Sequence, residues 1–173
     1  MWNRLTLVPL LLLLTACGFH LRGHDIKDEG FAFHSIYIRA PAETPLIASL
    51  RRELAFNKLT VAQSPEKADL VLDIVSENTD KQILALSGSG QVLEYMLHYS
   101  VSLRAYDRQQ REWMPAGKIM LQRYFPYDNT KILAKEQEEK LLYRNMRLDA
   151  VQLILRRLSF AKPPQPPADE ANQ

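Results

Sequence analysis

The sequence is most informative first for what it has little of. A single cysteine in 173 residues excludes an internal disulfide, so the fold must rest on its own core. Basic and acidic residues nearly cancel, 22 against 20, which leaves no global field of the kind that draws nucleic acid. Four histidines are present. His20 and His24 have the spacing of a helical metal pair but lie in a glycine-bearing stretch that reads as irregular, and His98 falls on the polar side of a strand pattern, so no metal centre is expected. Gly88-Ser89-Gly90 is neither a nucleophile elbow nor a dinucleotide loop. A strand pattern follows it, and Leu93 stands where the last glycine would be. Glu136, Glu138 and Glu139 fall near the start of a long helical pattern, where they suit the helix dipole better than acid–base work. No nucleophile–base pair remains, and the chain is read as non-enzymatic.

Long apolar runs are also missing, with one exception at the N-terminus. Residues 1–16 read MWNRLTLVPLLLLLTA: a positive start at Arg4, an apolar stretch too short to span a bilayer, and small residues at the end. This is the pattern of a secretory leader. Leu14-Thr15-Ala16-Cys17 is a bacterial lipobox, which accounts for the lone cysteine as the site of a thioether-linked diacylglycerol, followed by cleavage and acylation of the new amine. One acyl chain anchors only marginally; several anchor stably. Gly18, rather than Asp, after the cysteine favours export to the outer membrane. Loss of the leader removes one charge, Arg4, and leaves a net charge of +1. The expected organisation is a leader at 1–16, a lipidated N-terminus and linker at 17–33, one domain at 34–160, and a Pro-rich, extended or disordered tail at 161–173.

Within the domain, Ile36 and Ile38 alternate with polar neighbours over 34–40 and predict a strand. Thr44 caps, and Pro45 opens, an amphipathic helix over 45–58 with Leu46, Ile47, Leu50, Leu54 and Phe56 mostly on one stripe. A short strand is expected within 59–63. Residues 69–86 read as a long strand bulged near Asn78, with a turn at 87–90. The clearest pattern is 92–106, where Leu93, Tyr95, Leu97, Tyr99, Val101, Leu103 and Ala105 alternate with Glu94, His98, Ser100, Ser102 and Arg104, a strand with one buried face. A polar turn at 107–112 leads to a strand over 113–125. A long helix capped by Thr130 runs to Leu158, its apolar side marked by Leu141, Leu148, Val151, Leu155 and Leu158. The resulting fold class is α+β, with two helices on one face of a mostly antiparallel, mixed, four-stranded sheet.

The remaining chemistry is that of binding. Arg104, Lys118, Arg123, Lys131 and Lys135 interleave with Tyr95, Tyr99, Tyr106, Tyr124, Phe125 and Tyr127. Such a set suits an anionic amphiphile, its phosphates held by cations and its chains by apolar side chains. The same residues also suit an ordinary core and a solvated face.

Cys17-Gly18-Phe19-His20-Leu21-Arg22 resembles the mature N-terminus of the LptE family of lipopolysaccharide-assembly lipoproteins. Gly90-Gln91 with Glu94-Tyr95, and Arg123-Tyr124-Phe125 through Asp128-Asn129 to Leu133-Ala134-Lys135-Glu136, resemble that family's strand entry and strand-to-helix junction. The resemblance implies two helices against a four-stranded sheet, no cofactor and no catalysis. It also implies a plug inside the lumen of the outer-membrane β-barrel LptD, required for barrel assembly, that binds lipopolysaccharide. It points to Lys135 as a cation for a lipid A phosphate, with Arg123 and Lys131 completing the candidate set. The loop before Gly90 departs from a basic pattern seen in relatives, having Gly88-Ser89. Competing readings are an envelope lipoprotein that only scaffolds or pilots another outer-membrane machine, and an envelope hydrolase.

Overall fold

The structure, a computed structural model, describes residues 30–163. The expected leader, Cys17, the linker up to residue 29 and the tail beyond Pro163 lie outside that range. The elements follow in the order β1 (Ser35–Arg39), α1 (Pro45–Phe56), β2 (Thr60–Val61), β3 (Leu70–Leu86), β4 (Val92–Asp107), β5 (Glu112–Pro126) and α2 (Ile132–Ser159), with short 3-10 turns at Pro65–Lys67 and Asn129–Lys131. The architecture is α+β: an open mixed sheet with two helices packed against it.

The sheet has five strands in the order β2-β1-β3-β4-β5, not the expected four. The extra strand is short. Thr60 and Val61 lie parallel to Ser35 and Ile36, and the two-residue strand completes a β1–α1–β2 crossover. β1 is parallel to β3, with Ile36 opposite Leu70 and Ile38 opposite Leu72. The remaining pairs, β3 with β4 and β4 with β5, are antiparallel and long. Because β1 pairs β3 only as far as Asp73 while β3 runs on to Leu86, the sheet narrows to three strands in its distal half.

Thr44 caps α1 as expected, its Oγ1 accepting from the Ile47 backbone. The helix ends at Phe56, two residues short of the expected end, because Lys58 turns into the left-handed region at φ 62°; Phe56 is left in solvent. Thr130 is not the cap of the long helix. Asp128 accepts from the Thr130 backbone and begins a 3-10 turn, and α2 starts after it at Ile132. The β3 bulge lies between Ile74 and Ser76, with further shifts between Ile83 and Leu86, and not at Asn78.

Alternation in β4 places Leu97, Tyr99, Val101, Leu103 and Ala105 in the core; Leu93, at the strand's end, is exposed. From α1 come Leu46, Ile47, Leu50 and Leu54, and from α2 come Met146, Ala150, Val151, Ile154, Leu155 and Leu158. Leu141 and Leu148 are exposed, so the expected stripe of α2 is partly misplaced. Phe33 and Ala161, flanking the secondary structure, are also buried. A polar knot crosses this core. Glu77 accepts from Tyr99 Oη at 2.5 Å and from Thr44 Oγ1 at 2.6 Å, with the Arg147 guanidinium 3.7 Å away. It ties the start of α1 to the sheet and to α2. Burial first, and the bond to Glu77 next, push the Tyr99 phenol well above its ordinary range.

Candidate functional site

The distal half of the sheet holds the site. Cross-strand neighbours share a face, and Tyr95 of β4 stands opposite Phe125 of β5 on the side covered by α2. Their rings are stacked with centroids 6.2 Å apart. Tyr127, just past β5, meets Tyr95 edge-on at 5.2 Å and Phe125 at 6.1 Å. Its backbone N–H donates to the Leu93 carbonyl at 2.8 Å, which fixes the β5–α2 junction beside the β3–β4 hairpin. Phe125 is fully buried, so the rings form a floor.

Two cations sit on that floor. The Lys135 ammonium lies 5.4 Å from the centre of the Phe125 ring and donates to Glu138 Oε2 at 2.8 Å. Its side chain is only 17% exposed. The Lys81 ammonium lies 5.0 Å from the centre of the Tyr95 ring and donates to Glu139 Oε2 at 2.7 Å. Both contacts are in the range of cation–π attraction. Lys81 was not among the candidates read from the sequence. It stands in β3 opposite Leu97, and nothing local in its segment signals that α2 and Tyr95 will meet it. Next to it, Tyr143 Oη donates to the Asp80 carbonyl at 2.9 Å. Burial, then the charges of Glu139 and Asp80, push this phenol up to about 12.

The elements that carry the cations also carry exposed apolar side chains. Ile132 and Leu133 lie at the start of α2, and Ile83, Leu84, Leu86 and Leu93 lie along the end of the β3–β4 hairpin. Leu133 is 79% exposed. The hairpin closes tightly: the Gly90 N–H donates to the Ser87 carbonyl, and Gly90 has φ +79°, a conformation glycine adopts without strain.

The other candidates are dispersed. Lys131 is exposed at the junction, 3.7 Å from Asp128 Oδ2. Arg123 faces α2, with its Nη2 2.6 Å from Asp149 Oδ2. Arg104 and Lys118 lie on the opposite, open face, since Arg104 pairs across strands with Asp73 and Lys118 with Ser102. Arg104 donates to Asp73 at 3.0 Å and stacks on Tyr106. Tyr99 belongs to the core, and Tyr124 is exposed. Among the described residues no group of three histidine, cysteine, aspartate or glutamate side chains is placed to hold a metal, and no helix is long and apolar enough to cross a membrane.

Residues 33–158 match the family described as "LptE: Lipopolysaccharide-assembly". The chain belongs to the LptE family. Within that family, "LPS-assembly lipoprotein LptE" of Photorhabdus laumondii is 27% identical over 158 residues, covering 88% of this chain and 82% of its own. Among solved structures, an uncharacterized lipoprotein B from Nitrosomonas europaea has a TM-score of 0.70 at 37% identity, covering 82% of this chain and 90% of that one. The rare lipoprotein B of Shewanella oneidensis has a TM-score of 0.63 at 26% identity, over 70% and 91%. The LptE match spans the β1-to-α2 body, including the strand-to-helix junction that carries Lys135. The chain is thus an LptE-family lipoprotein of lipopolysaccharide assembly and outer-membrane biogenesis.

Proposed function

We propose that this protein is a non-enzymatic outer-membrane lipoprotein, held by lipidated Cys17, that plugs the LptD β-barrel from the periplasmic side, helps it assemble, and binds lipopolysaccharide on its way to the outer leaflet. The observation that carries the binding half is the cation–aromatic floor at the start of α2. Lys135 offers an ammonium in a largely water-excluded setting, and exposed Ile132 lies one helical turn before it on the same face for acyl chains. A phosphate bearing several anionic oxygens is a stronger partner for that ammonium than a single exposed carboxylate. Lys131 extends the positive rim at the junction. Arg123, on β5, is engaged with Asp149 of α2.

The plug half is supported by the open sheet face. Ser76, Asn78, Asp80 and Gln82 of β3 stand beside Ser102, Ser100, His98 and Met96 of β4, and these beside Lys118, Met120, Gln122 and Tyr124 of β5. A mostly polar face of mixed charge matches the polar interior of an outer-membrane barrel. Affinity purification of the tagged, full-length protein in mild detergent tests the reading. A large outer-membrane barrel is expected to co-purify in stoichiometric amount, and its absence defeats the plug assignment in favour of a scaffold or pilot role.

A further inference from the structure

We infer that Lys81 and Lys135 form one internally neutralised anion site, in which Glu138 and Glu139 occupy the two ammonium groups until a phosphorylated amphiphile displaces them. The inference rests on the lipopolysaccharide-binding reading and adds to it a second cation and a pair of competing carboxylates.

The geometry carries this in three steps. The two ammonium groups lie over neighbouring rings of one aromatic pair, 5.0 Å from Tyr95 and 5.4 Å from Phe125, so they belong to one floor although they come from β3 and α2. Each is taken up by a carboxylate, and the two carboxylates come from consecutive residues of α2, at 2.7 Å for Glu139 and 2.8 Å for Glu138. One short helical segment therefore supplies both internal counter-ions. Exchanging each carboxylate for a ligand's oxygens leaves the ammonium paired, so the exchange costs the fold little. A phosphate brings more charge and more acceptor atoms than the carboxylate it replaces. Finally, each cation has an exposed apolar neighbour on its own face: Ile83 two residues along β3 from Lys81, and Ile132 one helical turn before Lys135. That placement selects a phosphorylated lipid over free phosphate.

The carboxylates then have a function of their own. They keep the cations paired when the site is empty, and they set a threshold that only a multiply charged amphiphile passes. Removing them is expected to tighten binding, the opposite of what loss of a stabilising ion pair would do.

The test is a binding titration of the purified protein with lipopolysaccharide, and with its enzymatically dephosphorylated form, at constant ionic strength. The variants are Glu138→Gln/Glu139→Gln, Lys81→Gln/Glu139→Gln, Glu139→Gln, Lys81→Arg and Lys135→Gln. Relative to the native chain, the double glutamine variant should bind roughly five- to tenfold tighter. Lys81→Gln/Glu139→Gln should bind about tenfold more weakly than Glu139→Gln alone, a comparison that removes any effect of an orphaned Glu139. Lys81→Arg should retain affinity, which separates a charge requirement from misfolding. The dephosphorylated lipid should lose the differences among variants. Unchanged affinity in the Lys81 and glutamate variants, while Lys135→Gln still weakens binding, overturns this inference and leaves the binding reading intact. Absence of binding by the native chain overturns both. Full displacement of the lipid by millimolar inorganic phosphate would reassign the site to free phosphate and likewise overturn it.

Discussion

Lys135 shows how one side chain serves two masters. Its stem packs into the protein, its ammonium faces an aromatic ring and a glutamate, and in the proposed function a phosphate takes that glutamate's place. Charge reversal, Lys135→Glu, is expected to lower lipopolysaccharide affinity by about tenfold or more. Lys135→Gln, which sets no carboxylate against Glu138, should weaken binding in the same direction with a smaller fall in the thermal midpoint than Lys135→Glu. Calorimetry alongside the binding titration checks both halves, and unchanged binding removes Lys135 from the site. Asp107 is the structural counterpart. It is buried at the end of β4, and its carboxylate accepts from the backbone of Gln109 and Arg111, from Arg111 Nε at 2.8 Å and from Trp113 Nε1 at 3.3 Å. Desolvation pushes its pKa up, but the bonds from Arg111 and Trp113 outweigh it, and the carboxyl ends below the usual carboxylate range. Such a group stabilises the fold above its unfolded value of about 3.9 and loses that contribution as pH falls through the lower folded value. Asp107→Ala should therefore cost about 2–3 kcal/mol at pH 7. Urea midpoints measured from pH 5 down to pH 2 should converge for the native and variant chains.

At the scale of elements, α2 divides into two unlike halves. Its C-terminal half presents Met146, Ala150, Val151, Ile154, Leu155 and Leu158 to the core. Its N-terminal half lies over the narrow part of the sheet and is fastened by polar groups, Glu139 to Lys81, Tyr143 to Asp80 and Arg147 to Glu77. Ile154→Ala should destabilise by about 2–5 kcal/mol, whereas Ile132→Ala should stay within about 1 kcal/mol while weakening lipopolysaccharide binding; chemical denaturation and the same titration distinguish them. This division also explains what could be read from the chain. The β4 alternation was legible because its two faces differ in kind at every position from Leu97 to Ala105. The α2 stripe was read from its leucines, and two of these, Leu141 and Leu148, are exposed, while the inconspicuous Met146 and Ala150 fill the core. The β3 bulge at Val75 had no local mark. It falls just past Asp73, where β1 stops pairing with β3, a point set by the sheet and not by the segment.

At the scale of the whole molecule, the two faces of the sheet do different things. One is covered by helices and carries the cation–aromatic floor; the other is open and polar. In the proposed function a lipid on Cys17 ties this body to the outer membrane while it sits within the barrel. Cys17→Ser is expected to abolish acylation, detected by metabolic labelling with a fatty acid. Multiple chains rather than one give stable anchoring, so the variant, expressed behind a secretory leader that is cleaved without lipidation, should leave the membrane fraction unless a barrel retains it. Repeating the fractionation in cells depleted of LptD separates the two forms of retention: without the barrel, the variant should become soluble.

The sequence by itself determined the order and kind of the elements, the β4 face, the cap of α1 and the family, because each is written in local spacing or in contiguous motifs. It also marked Lys135, through the strand-to-helix junction. Only the tertiary structure decided that the short strand at 60–61 joins the sheet as a fifth, that Arg104 and Lys118 lie on the far face from Lys135, and that Lys81 meets the same aromatic pair. The physical reason is distance along the chain. Fifty-eight residues separate Lys81 from the Glu139 that receives it, and their meeting depends on how β3 extends beyond β1 and how α2 returns across it.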